Sequence, residues 1–199
     1  MSNNVFMSEN PSETKILMAQ ALKRLIKDRP FAKITIQDIV AECNINRNTF
    51  YYHFENNYDL LYFAYELEVQ NIVNSFRNAN ATIPQALDFI LDYIDKNISL
   101  CSCAYESLGE QQLKNIFEKD LHDFAGATIE YFSSQNGVKF SEDFKSFACF
   151  SYTNLLSTQI IWYIKHNSNL DKKIFKDNLQ TFFISSLKSV LEEAAKKGM

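Results

Sequence analysis

Apolar residues recur at helical spacing along most of this chain, and the first three such stretches are short. Over residues 12–28, Met18, Leu22, Leu25 and Ile26 lie three or four apart while Lys15, Lys23 and Lys27 take the opposite side. That pattern predicts an amphipathic helix, which Pro30 ends and below which Phe31 plugs a junction. Ile36, Ile39 and Val40 then mark a second helix, opened by Thr35 with Asp38 three residues on, a capping-box arrangement. Cys43-Asn44-Ile45 is the expected turn, since asparagine tolerates a left-handed backbone better than other non-glycine residues. Asn46 caps a third helix whose inward face is Phe50 and Phe54. Asn56, with Asp59 three residues on, opens a long helix to about Asn78, on which Leu60, Leu61, Ala64, Leu67 and Ile72 continue the apolar face. This helix is expected to join the head rigidly to the C-terminal body. Residues 80–84 form the clearest boundary, with Thr82 as a cap and Pro84 in the first turn of the next helix. Further helices are predicted over 84–101, 106–117, 118–135, 141–167 and 171–196, with breaks near Gly137 and over 167–171.

Arg47, Asn48, Thr49, Tyr51, Tyr52 and His53 crowd the outward side of the third short helix. Two short helices joined by a tight turn, the second carrying such side chains, form a helix-turn-helix. The first helix of that motif crosses the phosphate backbone, and the start of the second reaches base edges. Arg47 suits guanine and Asn48 suits adenine, while Tyr51 and His53 can reach phosphates, which set register without reading sequence. A merely solvated polar face is the alternative. The agreement of cap, turn and core spacing favours the DNA-binding reading.

Residues Thr35 to Leu61 resemble the DNA-binding region of the TetR family of bacterial regulators. Its signature runs roughly T-x-x-x-I-A-x-x-A-G-V-S-x-G-T-F-Y-x-H/Y-F-x-x-K-x-x-L. Thr35 stands at the opening threonine, Ile39 at the core isoleucine and Ile45 at the turn valine. Thr49, Phe50 and Tyr51 reproduce T-F-Y, and His53, Phe54 and Leu60 fall on later positions. Asn44 replaces the turn glycine, Asn46 the capping serine, and Asn57 the lysine that meets a phosphate at the start of the fourth helix. Asn57 can donate a hydrogen bond there but releases no counterion. The resemblance implies DNA contacts from Thr35, Asn46, Arg47, Asn48, Thr49, Tyr51, Tyr52, His53 and Asn57.

Composition fits an all-α regulator. Only four glycines and three prolines occur in 199 residues, too few for a turn-rich β fold. The net charge of −4 is unevenly spread: residues 1–55 hold seven Lys or Arg against six acids, and the remainder thirteen against eighteen. The DNA-binding end is therefore slightly basic, which implies modest non-specific affinity. No stretch approaches a membrane span or an export signal, so the expected location is the cytoplasm, with no membrane partner. Cys43, Cys101, Cys103 and Cys149 are expected as buried thiols rather than disulfides. No phosphate loop or catalytic motif occurs, and neither an enzyme, a cofactor nor a metal site is expected.

The last two helices carry broad apolar faces, from which Tyr152, Leu156, Gln159, Ile160, Tyr163, Leu179, Phe183 and Leu187 are assigned to a dimer interface. Two copies forming a four-helix bundle would set their recognition helices about 34–36 Å apart. The expected fold is thus a three-helix helix-turn-helix head, residues 1–55, on a helical effector-binding and dimerisation body, residues 56–199. The resemblance implies an effector pocket between about 84 and 165, with Cys101, Cys103, Tyr105, His122, Phe124, Tyr131 and Trp162 as candidates. The aromatic content points to a small apolar or flat effector. The reading is a homodimeric repressor released from a palindromic operator by that effector. The alternative is an activator or adaptor whose body binds another protein.

Overall fold

The computed structural model describes residues 12–79 and 83–199, with backbone alone over 72–79 and at 83. The expected cap at Thr82 and the side chain of Ile72 lie outside the described residues. Among the described residues the regular elements are helical, and they fall into two compact units, the first ending at Tyr65 and the second beginning at Glu66.

The first unit holds α1 (Glu13–Asp28), a short 3-10 turn (Phe31–Lys33), α2 (Ile36–Glu42), α3 (Arg47–His53) and the start of α4 (Asn57–Ala79). Its core is Met18, Leu22, Ile26, Ile34, Ile39, Val40, Phe50, Phe54, Leu60, Leu61 and Ala64, all buried. Each buried aromatic or large aliphatic side chain contributes about 1.5–3 kcal/mol. The first two turns of α4 belong to this core, because Leu60, Leu61 and Ala64 face inward. The head therefore extends past residue 55, where the sequence pattern placed its end.

The second unit comprises the rest of α4, α5 (Ile83–Lys96), α6 (Ile98–Leu108), α7 (Glu110–Asn136), α8 (Glu142–His166) and α9 (Lys172–Lys197). Two boundaries differ from those predicted. The stretch 84–101 is broken at Asn97, whose side chain donates back to the Tyr93 carbonyl at 3.0 Å and draws the backbone out of helical geometry. The next break lies at Gly109, with φ +83° and ψ 167°, a conformation open to glycine and not to residues with a Cβ. Beyond it 110–136 is one helix, since neither glycine nor proline interrupts it near 117–118. Helices α7 and α8 pack along their length: a Cβ on Gly126 would lie 3.7 Å from the Cys149 sulfur, and Lys145 meets Glu130 at 2.7 Å.

The assigned dimer residues require correction. Tyr152, Leu156, Ile160, Tyr163, Leu179, Phe183 and Leu187 are buried inside the single chain, and Gln159 is half-buried. Tyr152 meets the Phe183 ring edge-on at 5.4 Å, and Tyr163 lies 4.9 Å from Phe175. Apolar residues run round most of the circumference of α8, so spacing alone could not say which side faced inward. The large apolar residues left exposed on α8 and α9 are Phe147, Phe150, Trp162, Ile174, Phe182 and Val190.

Asp95 ties α5 to the α8–α9 corner. One of its oxygens accepts from the Tyr163 hydroxyl at 2.9 Å, the Asn167 amide at 2.9 Å and the Lys172 ammonium at 2.8 Å. Burial pulls its carboxyl upward, but the hydrogen bonds from Lys172, Asn167 and Tyr163 outweigh this and leave it below its ordinary value of 3.8. A lowered folded-state value means the contribution is complete above the unfolded value and vanishes as pH falls through the folded one. Asp95→Asn is expected to lower stability at neutral pH by about 1–3 kcal/mol. In urea titrations its deficit against the parent should shrink as pH falls below about 4. A deficit that stays constant down to strong acid would show that the carboxylate's charge does not stabilise this corner.

Candidate nucleic-acid interface

The capping box at the start of α2 is complete. The Thr35 hydroxyl accepts from the Asp38 amide, and the Asp38 carboxylate accepts from the Thr35 amide at 2.8 Å. Hydrogen bonds from the Thr35 side chain and backbone, then the Arg29 guanidinium at 3.0 Å, hold the Asp38 carboxyl below its ordinary value. Thr35 is exposed, yet its hydroxyl already serves this cap.

Helix α2 ends in the turn expected at 43–45. Asn44 has φ +53°, the one positive value outside glycine among the described residues. Its amide donates to the Ala41 carbonyl and that of Ile45 to the Val40 carbonyl, a Schellman closure that satisfies the helix's last carbonyls. The sharp turn lets α3 begin two residues later.

Asn46 caps α3, its side-chain oxygen accepting from the Thr49 amide at 2.9 Å and the Thr49 hydroxyl at 3.1 Å. Phe50 and Phe54 are buried and fix which side of the helix faces inward. Arg47, Asn48, Tyr51 and Tyr52 are therefore turned outward, with Tyr52 at 84% exposure. The Arg47 guanidinium donates to the Tyr51 hydroxyl at 3.0 Å. That bond uses one of five donors, so a two-pronged approach to a base remains open. His53 is half-buried beside Lys15; burial first, then that ammonium, hold its imidazole below the ordinary value. At neutral pH it is an uncharged hydrogen-bonding group.

Asn57 departs from its expected role. Its amide nitrogen donates to the Ile34 carbonyl at 2.7 Å, and its side-chain oxygen is buried without a partner. The amide is turned into the head, so the phosphate contact expected of Asn57 is withdrawn. Sequence spacing showed which residue stood there, and only packing showed its direction.

Arg47, Asn48, Tyr51 and Tyr52 stand together on the outer side of α3, whereas the effector candidates are scattered. Cys101 and Cys103 are buried in α6, and Tyr105 and Phe124 are half-buried. His122 and Tyr131 are exposed on α7, and Trp162 stacks in the open against His166 at 4.4 Å and Phe175 at 5.5 Å. These three are withdrawn as lining residues: aromatic type alone had selected them. Burial pushes the Cys103 thiol up to about 11, and burial likewise raises Cys43 and Cys149, so these are unreactive thiols at neutral pH. Thr153, a residue that the sequence pattern did not single out, has its hydroxyl buried in α8 without a partner.

The sequence profile of the group described as "Bacterial regulatory proteins, tetR family" matches residues 19–62, which span α1 to the start of α4. The head of this chain is therefore similar to the DNA-binding region of the TetR family. A relative, the HTH-type dhaKLM operon transcriptional activator DhaS of Lactococcus lactis subsp. lactis (strain IL1403), is 26% identical over 116 residues. That match covers 55% of this chain and 62% of the relative. Among solved structures, the dihydroxyacetone kinase operon activator DhaS shares the fold with a TM-score of 0.65 at 18% identity, over 92% of this chain and 98% of that one. FadR from Bacillus subtilis, solved in complex with stearoyl-CoA, does so with a TM-score of 0.56 at 13% identity, over 92% and 98%. The likeness of fold to these two structures thus covers most of the chain. Among the described residues no helix is long and apolar enough to cross a membrane.

Proposed function

We propose that this chain is a TetR-family transcriptional regulator whose homodimer reads a palindromic operator through α3 and represses until a small apolar effector binds the body. The observation that carries the reading is the N-terminal end of α3, where Arg47 and Asn48 stand outward on a helix locked by Asn46 and Phe50. These are the side-chain types that distinguish guanine and adenine in the major groove. A small basic excess in the head gives weak general attraction, so two linked heads are needed for tight binding. The exposed Phe147, Phe150 and Phe182 offer apolar surface for a second copy. The apolar acyl chain of the stearoyl-CoA held by the similarly folded FadR is consistent with an effector that has an apolar part.

One observation favours activation instead of repression: the relative from Lactococcus lactis is named an operon activator. Both readings share the head. Selection of bound duplexes from a random pool should return an inverted repeat, with protection on one face of the DNA. Stearoyl-CoA, as a first probe, is then titrated into the complex. Release supports the effector-controlled reading, and a stable complex at saturating probe counts against an acyl effector. A pool without enrichment would overturn the function as a whole.

A further inference from the structure

The first turn of α4 carries Asn57 and no lysine or arginine, and most cations elsewhere in the head are engaged. Arg24 pairs with Glu42 at 2.7 Å, Arg29 with Asp38 at 3.0 Å, and Lys15 lies 5.5 Å from the ring centres of Phe54 and Phe63. Lys33 differs. It is exposed, and its ammonium has no partner among the described residues. It also directly precedes Ile34, the residue whose carbonyl receives the inward amide of Asn57.

We propose that Lys33 contacts a DNA backbone phosphate beside the recognition helix, supplying the charge that Asn57 does not. The inference rests on the DNA-binding reading above. The Asn57–Ile34 bond pins the entrance of α2 to the start of α4, and Phe31 packs edge-on against Tyr58 at 5.2 Å across the same junction. Lys33 is thereby held two residues before the cap of α2, the helix that in this motif crosses the phosphate backbone. A lysine carries a compact charge on a flexible stem and needs no rigid geometry to meet a phosphate. The inward turn of Asn57 fixes the place; Lys33 brings the charge to it.

The test is a salt series with the full chain and a labelled duplex of random sequence, read by fluorescence anisotropy. Lys33→Gln is expected to flatten the slope of log affinity against log salt by about 0.9 per head, or about 1.8 per dimer. Lys33→Arg should keep the parental slope. Lys188→Gln, which removes the same charge from the body, should also leave it unchanged. Asn57→Ala should lower the melting temperature without altering the slope, because its amide acts inside the head. A Lys33→Gln slope equal to the parent's overturns the role of Lys33 and leaves the DNA-binding reading intact. A parent that binds no duplex at any salt overturns both.

Discussion

Arg47→Ala is expected to weaken binding to the selected operator by roughly 30-fold to 10⁴-fold while affinity for random duplex changes little. A two-pronged arginine–guanine contact discriminates by about 1–3 kcal/mol, and a dimer loses two of them. The side chain is well placed for such a contact because the Tyr51 hydroxyl holds it at 3.0 Å, so less conformational freedom is lost on binding. Arg47 is exposed and makes no contribution to the buried core, so helix content and melting temperature should match the parent. The measurement is paired anisotropy against operator and scrambled duplex. Equal losses on both would make Arg47 a phosphate contact, and no loss on either would remove α3 as the reading element.

The second large effect concerns assembly. Phe150 and Phe182 are 63% and 62% exposed, and neither serves the interior of the subunit. Replacing both with glutamate places two charges on each copy where apolar surface is proposed to meet apolar surface. The double variant should run at half the parental mass in sedimentation, with helix content retained. Operator affinity should then fall by about 10²–10⁴-fold, because the second head no longer binds as a tethered partner. The buried Leu156 and Phe183 would be poor choices for this test: their replacement damages the core whether or not a dimer exists. A double variant that keeps the parental mass would move the interface to another face.

The head was legible in sequence because its determinants are local. The Thr35–Asp38 cap, the Asn44 turn, the Asn46 cap and the Phe50–Phe54 pair each act within a few residues, and all point to one geometry. Helix existence was legible in the body for the same reason, since apolar spacing and scarce glycine and proline leave few other choices. The breaks at Asn97 and Gly109 were less so. An asparagine bonding back to a carbonyl leaves no spacing signal, and an isolated glycine is as compatible with a helix interior as with a break.

Direction was what the linear pattern could not supply. Asn57 in sequence is a polar residue at a family phosphate position; only the nearby Ile34 carbonyl, 23 residues away in the chain, turned it inward. Tyr152, Phe183 and Leu187 in sequence belong to an apolar face; only packing against other helices decided that they fill a core and leave Phe147, Phe150 and Phe182 outside. The Asp95 junction joins residues 68 to 77 positions apart, beyond any local rule. Short-range hydrogen bonding and hydrophobic period thus determined which elements form and where the reading helix begins. Long-range packing, in which many partners compete for each buried surface, decided which side chains remain exposed.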